Sequence, residues 1–185
     1  MTIYIALLRG INVGGKNKIK MADLKKMFED LGLSEVKTYI QSGNVIFKSN
    51  ETEEALRNKI EQGIETVFGF SIAVILITAE ELENIIQNCP FSKEEVAAAE
   101  AASDSECLYV SLLLQPPSQE NIDRLSTYKS DHDIYHVEGR QVYLLFSNSI
   151  RNSKLANNLQ KLDVPSTVRN WKTINKLSQL VKEQL

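Results

Sequence analysis

Apolar positions along this chain switch between two spacings, and the switches mark out the elements. Thr2–Leu8 is a continuous apolar run and predicts a buried strand. In Met21–Leu31 the residues Met21, Leu24, Met27, Phe28 and Leu31 fall on one helical face, and Gly32 follows as a stop. Val36–Gln41 and Asn44–Lys48 are short β-rich runs parted by Ser42 and Gly43, which predicts a hairpin. Thr52–Phe68 spaces Leu56, Ile60, Ile64, Val67 and Phe68 among Glu and Lys, an amphipathic helix opened by Thr52 as cap and closed by Gly69. Ile72–Ile77 is again a continuous apolar strand. Thr78 with Glu81 forms a capping-box start for a helix to about Asn88, and Pro90 stops it.

The same order then returns. Cys107–Leu114 predicts a strand, and Pro116-Pro117-Ser118 leads a helix to about Tyr128. Asp133–Val137 and Gln141–Phe146 predict a hairpin across Glu138-Gly139-Arg140. Ser153–Leu162 reads as one helix, Ser166–Arg169 as a short strand, and Lys172–Glu183 as a final helix. Each half therefore runs β-α-β-β-α-β, the ferredoxin-like order. The fold class expected is α+β: two tandem ferredoxin-like subdomains with antiparallel sheets, plus a C-terminal helix. Residues 1–91 form the first subdomain, 92–105 a linker or short helix, and 106–185 the second subdomain with the terminal helix. The halves share an order of elements and no close residue-level repeat.

Topology brings distant loops together. In this order strand one and strand two run in the same direction with strand three between them. The end of strand one, Arg9-Gly10-Ile11-Asn12, should therefore lie beside the hairpin Tyr39-Ile40-Gln41-Ser42-Gly43-Asn44. A core requires none of Arg9, Asn12, Gln41, Ser42 or Asn44, and polar groups gathered on loops are where function concentrates. The competing explanation is that Gly10, Asn12, Gly43 and Asn44 are turn residues chosen for their backbone angles. Arg9 has no turn role, so it reads as a functional group or a structural ion pair.

Gly10 to Lys16 also matches the spacing G-x-x-x-x-G-K of a phosphate-binding P-loop. The match fails on chemistry. The next residue is Asn17, an amide where Mg²⁺ needs a hydroxyl, and the helical pattern begins only at Met21. No later strand ends in an Asp to serve as second metal ligand, and an antiparallel sheet is the wrong setting. Gly14, Gly15, Lys16 and Lys18 can still hold an anion by other means.

Charge sharpens this corner. The net charge is −3, but residues 1–26 carry +5, residues 51–106 carry −10 and residues 151–185 carry +5. Two acidic helix faces explain the middle block, while basic chain ends suit an anion-binding face. General duplex binding is disfavoured by the acidic balance. Hydrophobic content of 43% and charged content of 24% are those of an ordinary soluble domain. No apolar run reaches the length of a membrane span, and the start lacks the features of a signal peptide. The two cysteines, Cys89 and Cys107, have no CxxC spacing and suit a reducing cytoplasm as small buried residues. No membrane partner and no cofactor are expected.

Long stretches of the chain resemble a known family. "ALLRGINVGGKNKIKMADLKKMFEDLGLSEVKTYIQSGNVIF", "SKL" at Ser153–Leu155 and "TVRNWKTINKL" at Thr167–Leu177 are similar to the signatures of the bacterial family of uncharacterised proteins called DUF1697. "NCPF" at Asn88–Phe91 stands where members often carry Asn-Pro-Phe, so Cys89 is a departure. The resemblance implies the tandem ferredoxin-like fold and implies no activity. Positions on the signature are Arg9, Gly10, Asn12, Gly14, Gly15, Tyr39, Gln41, Ser42, Gly43, Asn44, Arg169, Asn170 and Trp171.

Other chemistry falls away. His132 and His136 have no third ligand at useful spacing, and no G-x-S-x-G elbow is present. Glu80, Glu81 and Glu83 open a helix, where acids favour the dipole. Arg169-Asn170-Trp171 has two explanations. The indole and guanidinium can stack a base and hold its phosphate, or Trp171 anchors the last helix and Asn170 caps it. The ligand-binding set is then Arg9, Asn12, Lys16, Tyr39, Gln41, Ser42, Asn44, Arg169, Asn170 and Trp171. The leading expectation is a binding module for a small anionic ligand, with nucleotide or single-stranded nucleic acid included. The alternatives are an enzyme in which Arg9 stabilises developing charge near Tyr39 and Ser42, and a protein-interaction domain.

Overall fold

The computed structural model describes residues 1–185. Its elements follow the predicted order. The strands are β1 Thr2–Leu8, β2 Ser34–Tyr39, β3 Asn44–Ser49, β4 Val74–Thr78, β5 Leu108–Leu113, β6 Asp133–Glu138, β7 Gln141–Phe146 and β8 Ser166–Asn170. The helices are α1 Met21–Asp30, α2 Glu53–Phe68, α3 Ala79–Gln87, α4 Lys93–Ala101, α5 Gln119–Ser126, α6 Lys154–Asn157 and α7 Trp171–Lys182. No helix is long and apolar enough to cross a membrane.

The chain divides into two compact units: Met1–Asn84 with Lys176–Leu185, and Ile85–Asn175. In the first, the sheet order is β2-β3-β1-β4, all neighbours antiparallel. In the second it is β6-β7-β5-β8, again antiparallel. Both are the four-stranded sheets of two ferredoxin-like units. Residues 92–105, expected as linker or short helix, contain α4 with a full capping box between Ser92 and Glu95.

The first core is built on one face of its sheet. Tyr4, Ala6, Leu8, Val45, Phe47, Val74 and Leu76 alternate with residues of the other face and meet Leu24, Phe28, Leu56, Ile60 and Ile64 from α1 and α2. Phe28 sits edge-on to Phe47 with ring centroids 5.5 Å apart. Both α1 and α2 end as the glycines require. Gly32 has φ 84°, and Leu33 N–H returns to the Phe28 carbonyl at 3.2 Å, closing α1. Gly69, with φ 81°, closes α2, while Thr52 Oγ1 accepts from Ala55 N–H at its start. The Thr78–Glu81 box also forms: Thr78 N–H donates to Glu81 Oε2 at 2.7 Å, and Glu81 N–H donates to Thr78 Oγ1 at 3.1 Å. The end of α7 belongs to this unit. Leu177, Leu180 and Val181 are buried, Ser178 donates to a Glu83 carboxylate oxygen, and Lys48 donates to the Gln184 carbonyl at 3.1 Å.

The second core gathers Leu113, Leu125, Val142, Leu144, Phe146, Leu155 and Leu162. Here one expectation is corrected. Ser153–Leu162 is not a single helix but a short turn of α-helix, α6, flanked by 3₁₀ segments Ile150–Asn152 and Leu159–Leu162. The break falls at Asn157-Asn158. Asn158 leaves helical geometry at φ −117° and ψ 12°, and its amide Nδ2 donates to the Lys154 carbonyl at 2.7 Å. A side chain that competes for a helix carbonyl ends the helix there, and apolar spacing alone does not reveal it.

Candidate functional site

The predicted pairing of loops is present in the first unit. The main chain of Leu8 donates to the Gly43 carbonyl at 2.9 Å, which joins the end of β1 to the β2–β3 hairpin. The basic loop is folded on itself. Gly10, Asn12, Gly14, Gly15 and Asn17 all have positive φ, from 50° to 74°, in residue types that tolerate it. Asn17 Nδ2 donates to the Gly10 carbonyl at 3.2 Å, and Asn12 N–H to the Asn17 carbonyl at 3.1 Å.

Asn12 is the tie between the loops. Its Nδ2 donates to the Ile19 carbonyl at 3.0 Å and to the Gln41 carbonyl at 2.9 Å, while its Oδ1 accepts from Ile19 N–H at 2.9 Å. Asn44 does the same inside the hairpin. It is fully buried, and its Nδ2 donates to the Tyr39 carbonyl at 2.9 Å and to Ser42 Oγ at 3.1 Å. These amides organise the corner. Gly43 has φ 87°, and a Cβ there would lie 2.7 Å from Ile11 Cδ1 and 2.9 Å from Leu8 Cβ. Only glycine lets the hairpin approach β1 this closely. Ile40, by contrast, is a β-branched residue at φ 49° and is 45% exposed.

A cleft of about 580 Å³ opens beside this tie. Asn12, Gly15 and Gln41 line it from the loop and hairpin, Lys18 and Lys20 supply the cations, and Asp23 is the one carboxylate. Ile19, Met21 and Phe68 supply carbon surface. Arg9 and Lys16 are exposed on the same loop but outside this lining; half-buried Tyr39 and Ser42 and buried Asn44, in the hairpin, are outside it too. Lys18, already suited to hold an anion by its place in the basic loop, lies outside the predicted ligand-binding set, and Lys20 is not singled out at all. The signal for them is the alternation Lys18-Ile19-Lys20: Ile19 is buried, so an extended segment turns both neighbours outward. Phe68, at the end of α2, has no comparable signal, because its cleft is made by elements far apart in sequence.

The remaining predicted residues belong to the second unit. Asn170 Oδ1 accepts from Thr173 N–H at 2.9 Å, the N-cap of α7. Trp171 is half-buried against the cluster of Ala99, Cys107, Leu108 and Leu145, with its ring 6.4 Å from that of Tyr143. Arg169 is only 7% exposed, and its guanidinium donates to Thr167 Oγ1 at 2.6 Å and to the Val168 carbonyl at 3.0 Å. Burial pushes that guanidinium down to about 10, which leaves it a cation at neutral pH. All three thus have structural duties. Asn170 and Gln141 pair with opposite ends of β5, at Tyr109 and Leu112, so the Trp171 junction and the β6–β7 hairpin lie at opposite edges of their sheet.

The family described as "Protein of unknown function (DUF1697)" matches residues 1–143, a stretch that includes the whole loop-and-hairpin corner. The stretch Thr167–Leu177 lies beyond the matched residues. No curated protein matches the chain. Among solved structures, the conserved bacterial protein SP0830 from Streptococcus pneumoniae is similar, with a TM-score of 0.77 at 28% identity. The alignment covers 98% of this chain and 99% of that one, so the tandem fold is shared throughout.

Proposed function

The chain belongs to the DUF1697 family of proteins of unknown function, and from that premise, which supplies no activity, we propose that it is a binding module for a small phosphorylated or otherwise anionic ligand. The ligand sits in the cleft beside the Arg9–Asn12 loop and the Gln41–Asn44 hairpin. One observation carries this reading: Lys18 and Lys20 line a cleft of about 580 Å³ together with Asn12 and Gln41, the two residues that tie the loops. That volume suits a metabolite, and two ammonium groups against the single Asp23 carboxylate leave an excess of positive charge. The Gln41 side chain and the Gly15 main chain add neutral groups that orient the ligand. Arg9 and Lys16, exposed on the same loop, extend the positive field and speed encounter.

A small ligand is favoured over single-stranded nucleic acid. Strand binding relies on rows of exposed aromatic rings, and Phe68 is the one ring in this cleft. We also place the protein in a reducing cytoplasm, in keeping with its two free cysteines, Cys89 and Cys107. The test is a thermal-shift and calorimetric screen of phosphorylated metabolites, nucleotides and short oligonucleotides against the full chain. The expected result is a small anionic ligand whose affinity falls at least ~10-fold in the Lys18→Ala/Lys20→Ala double variant. Hits indifferent to both that variant and Arg9→Ala/Lys16→Ala would remove the proposal.

A further inference from the structure

A second cleft adjoins the first. It has a volume of about 920 Å³ and runs between α1 and α2, and it shares two walls, Asp23 and Phe68, with the lysine-lined cleft. It offers more carbon surface than the first. Met27, Leu31, Val67 and Phe68 line it with carbon, and Gly63 leaves its position on α2 without a side chain. Val67 is 58% exposed although it follows the apolar spacing of α2. Polar residues line it as well, Asn58, Gln62 and Thr66 among them, and its lysines are paired: Lys26 with Asp30 at 2.8 Å, and Lys59 with Glu51 at 2.5 Å. Their ammonium groups are therefore matched within the protein, while their methylene stems extend the apolar wall.

We infer that the ligand is an amphipathic anion, a soluble phosphomonoester with an elongated apolar substituent. Its charged head lies against Lys18 and Lys20, and its apolar body lies between α1 and α2. This rests on the proposed anion site and adds the chemical class of the ligand. Three features support it. The joint volume of the two clefts is larger than a bare phosphate or a small sugar phosphate needs. Uncompensated positive charge is at one end, on Lys18 and Lys20, while Lys26 and Lys59 at the other end are paired within the protein. The groove also has a length: Asp23 and Asp30 are seven residues apart on α1, a rise of roughly 10 Å, which suits a chain of about eight carbons. Asp23 stands where the clefts meet, so its carboxylate keeps the anionic head on the lysine side.

The probes are inorganic phosphate, butyl phosphate, octyl phosphate, 1-octanol and adenosine monophosphate, titrated into the full chain by calorimetry. Octyl phosphate is expected to bind at least ~10-fold more tightly than butyl phosphate, because each buried methylene adds affinity. Val67→Gln, a neutral substitution at an exposed position outside the lysine-lined cleft, is expected to cut that chain-length dependence and leave phosphate binding in place. Lys18→Ala/Lys20→Ala should weaken octyl phosphate and spare 1-octanol. Phosphates that bind with no dependence on chain length, or adenosine monophosphate binding more tightly than octyl phosphate, would overturn the inference while leaving the anion site standing. If no phosphate binds at all, the anion site fails and this inference fails with it. Octyl phosphate that binds equally well in the lysine variant would show the groove to be an independent apolar site, which also overturns it.

Discussion

The side-chain amide of Asn12 donates to the main-chain carbonyl of Gln41 across 2.9 Å, joining residues 29 positions apart. Two loops with no regular structure are thereby held as one rigid corner. A ligand that binds there meets a surface already set, and little ordering cost is incurred on binding.

Asn12→Ala should therefore act first on stability. It removes three hydrogen bonds and leaves a residue with a Cβ at φ 55°. The expected loss is about 3 kcal/mol, read from urea unfolding. A loss below about 1 kcal/mol would show that water replaces these bonds and that the corner is not locked.

Two glycines make a controlled pair. Gly43→Ala places a Cβ within 2.7 Å of Ile11 Cδ1, whereas Gly139→Ala, at φ 57°, meets nothing within 4 Å. Both bear the left-handed penalty of about 1–2 kcal/mol. Only Gly43→Ala adds a clash, so its unfolding free energy should fall by about 2 kcal/mol more than that of Gly139→Ala. Equal losses would mean that the hairpin shifts freely away from β1.

Ile40 runs against its own backbone. A β-branched side chain at φ 49° is strained, and this one is 45% exposed, so it contributes little burial in return. Ile40→Asn should raise stability by about 0.5–1 kcal/mol in thermal unfolding. A fall in stability would reveal packing that outweighs the strain.

Asp23 sits in the first turn of α1 and lines both clefts. Asp23→Asn should tighten binding of an anionic probe severalfold, because it removes the only carboxylate from the cleft. It should lower stability by about 0.5 kcal/mol through the helix dipole. Weaker binding would assign Asp23 to ligand recognition instead.

Tyr143 supplies a pH signature. It is fully buried, and its hydroxyl donates to the Ile85 carbonyl at 2.8 Å. Burial pushes its phenol from 10.0 up to about 12. Below pH 10 the phenol is protonated in both folded and unfolded chains, and its contribution is constant. As pH rises from 10 to 12 the unfolded chain releases the proton ahead of the folded one, so stability falls by about 2 kcal/mol across that window. Tyr143→Phe should remove this part of the alkaline slope, measured as the difference between the two unfolding curves.

Much of this was legible in the sequence because short-range rules decided it. Thr52, Thr78 and Ser118 cap the helices they announce, and Gly32 and Gly69 end theirs. The meeting of Asn12 with Gln41 followed from strand order alone. The backbone-angle explanation fits Asn12, at φ 55°, whereas Asn44 lies in β3 and works through its side-chain amide; the packing explanation of Trp171 and the capping explanation of Asn170 also have their contacts. What stayed hidden depended on three-dimensional enclosure. Lys20, and its partnership with Lys18, gain meaning only beside a cleft that also draws on Phe68, some fifty residues from Lys18. The break in Ser153–Leu162 depended on one side-chain amide choosing a carbonyl over solvent.

Residues 176–185 belong with residues 1–84, and the whole second unit intervenes in the chain. A ribosome releases the first sheet long before it makes the segment that completes it. Until then Lys48 lacks the Gln184 carbonyl and Glu83 lacks the Ser178 hydroxyl. The first unit to emerge is thus the last to be finished, and for that interval its stability rests on the loop tie, the hairpin and the helices that are already in place.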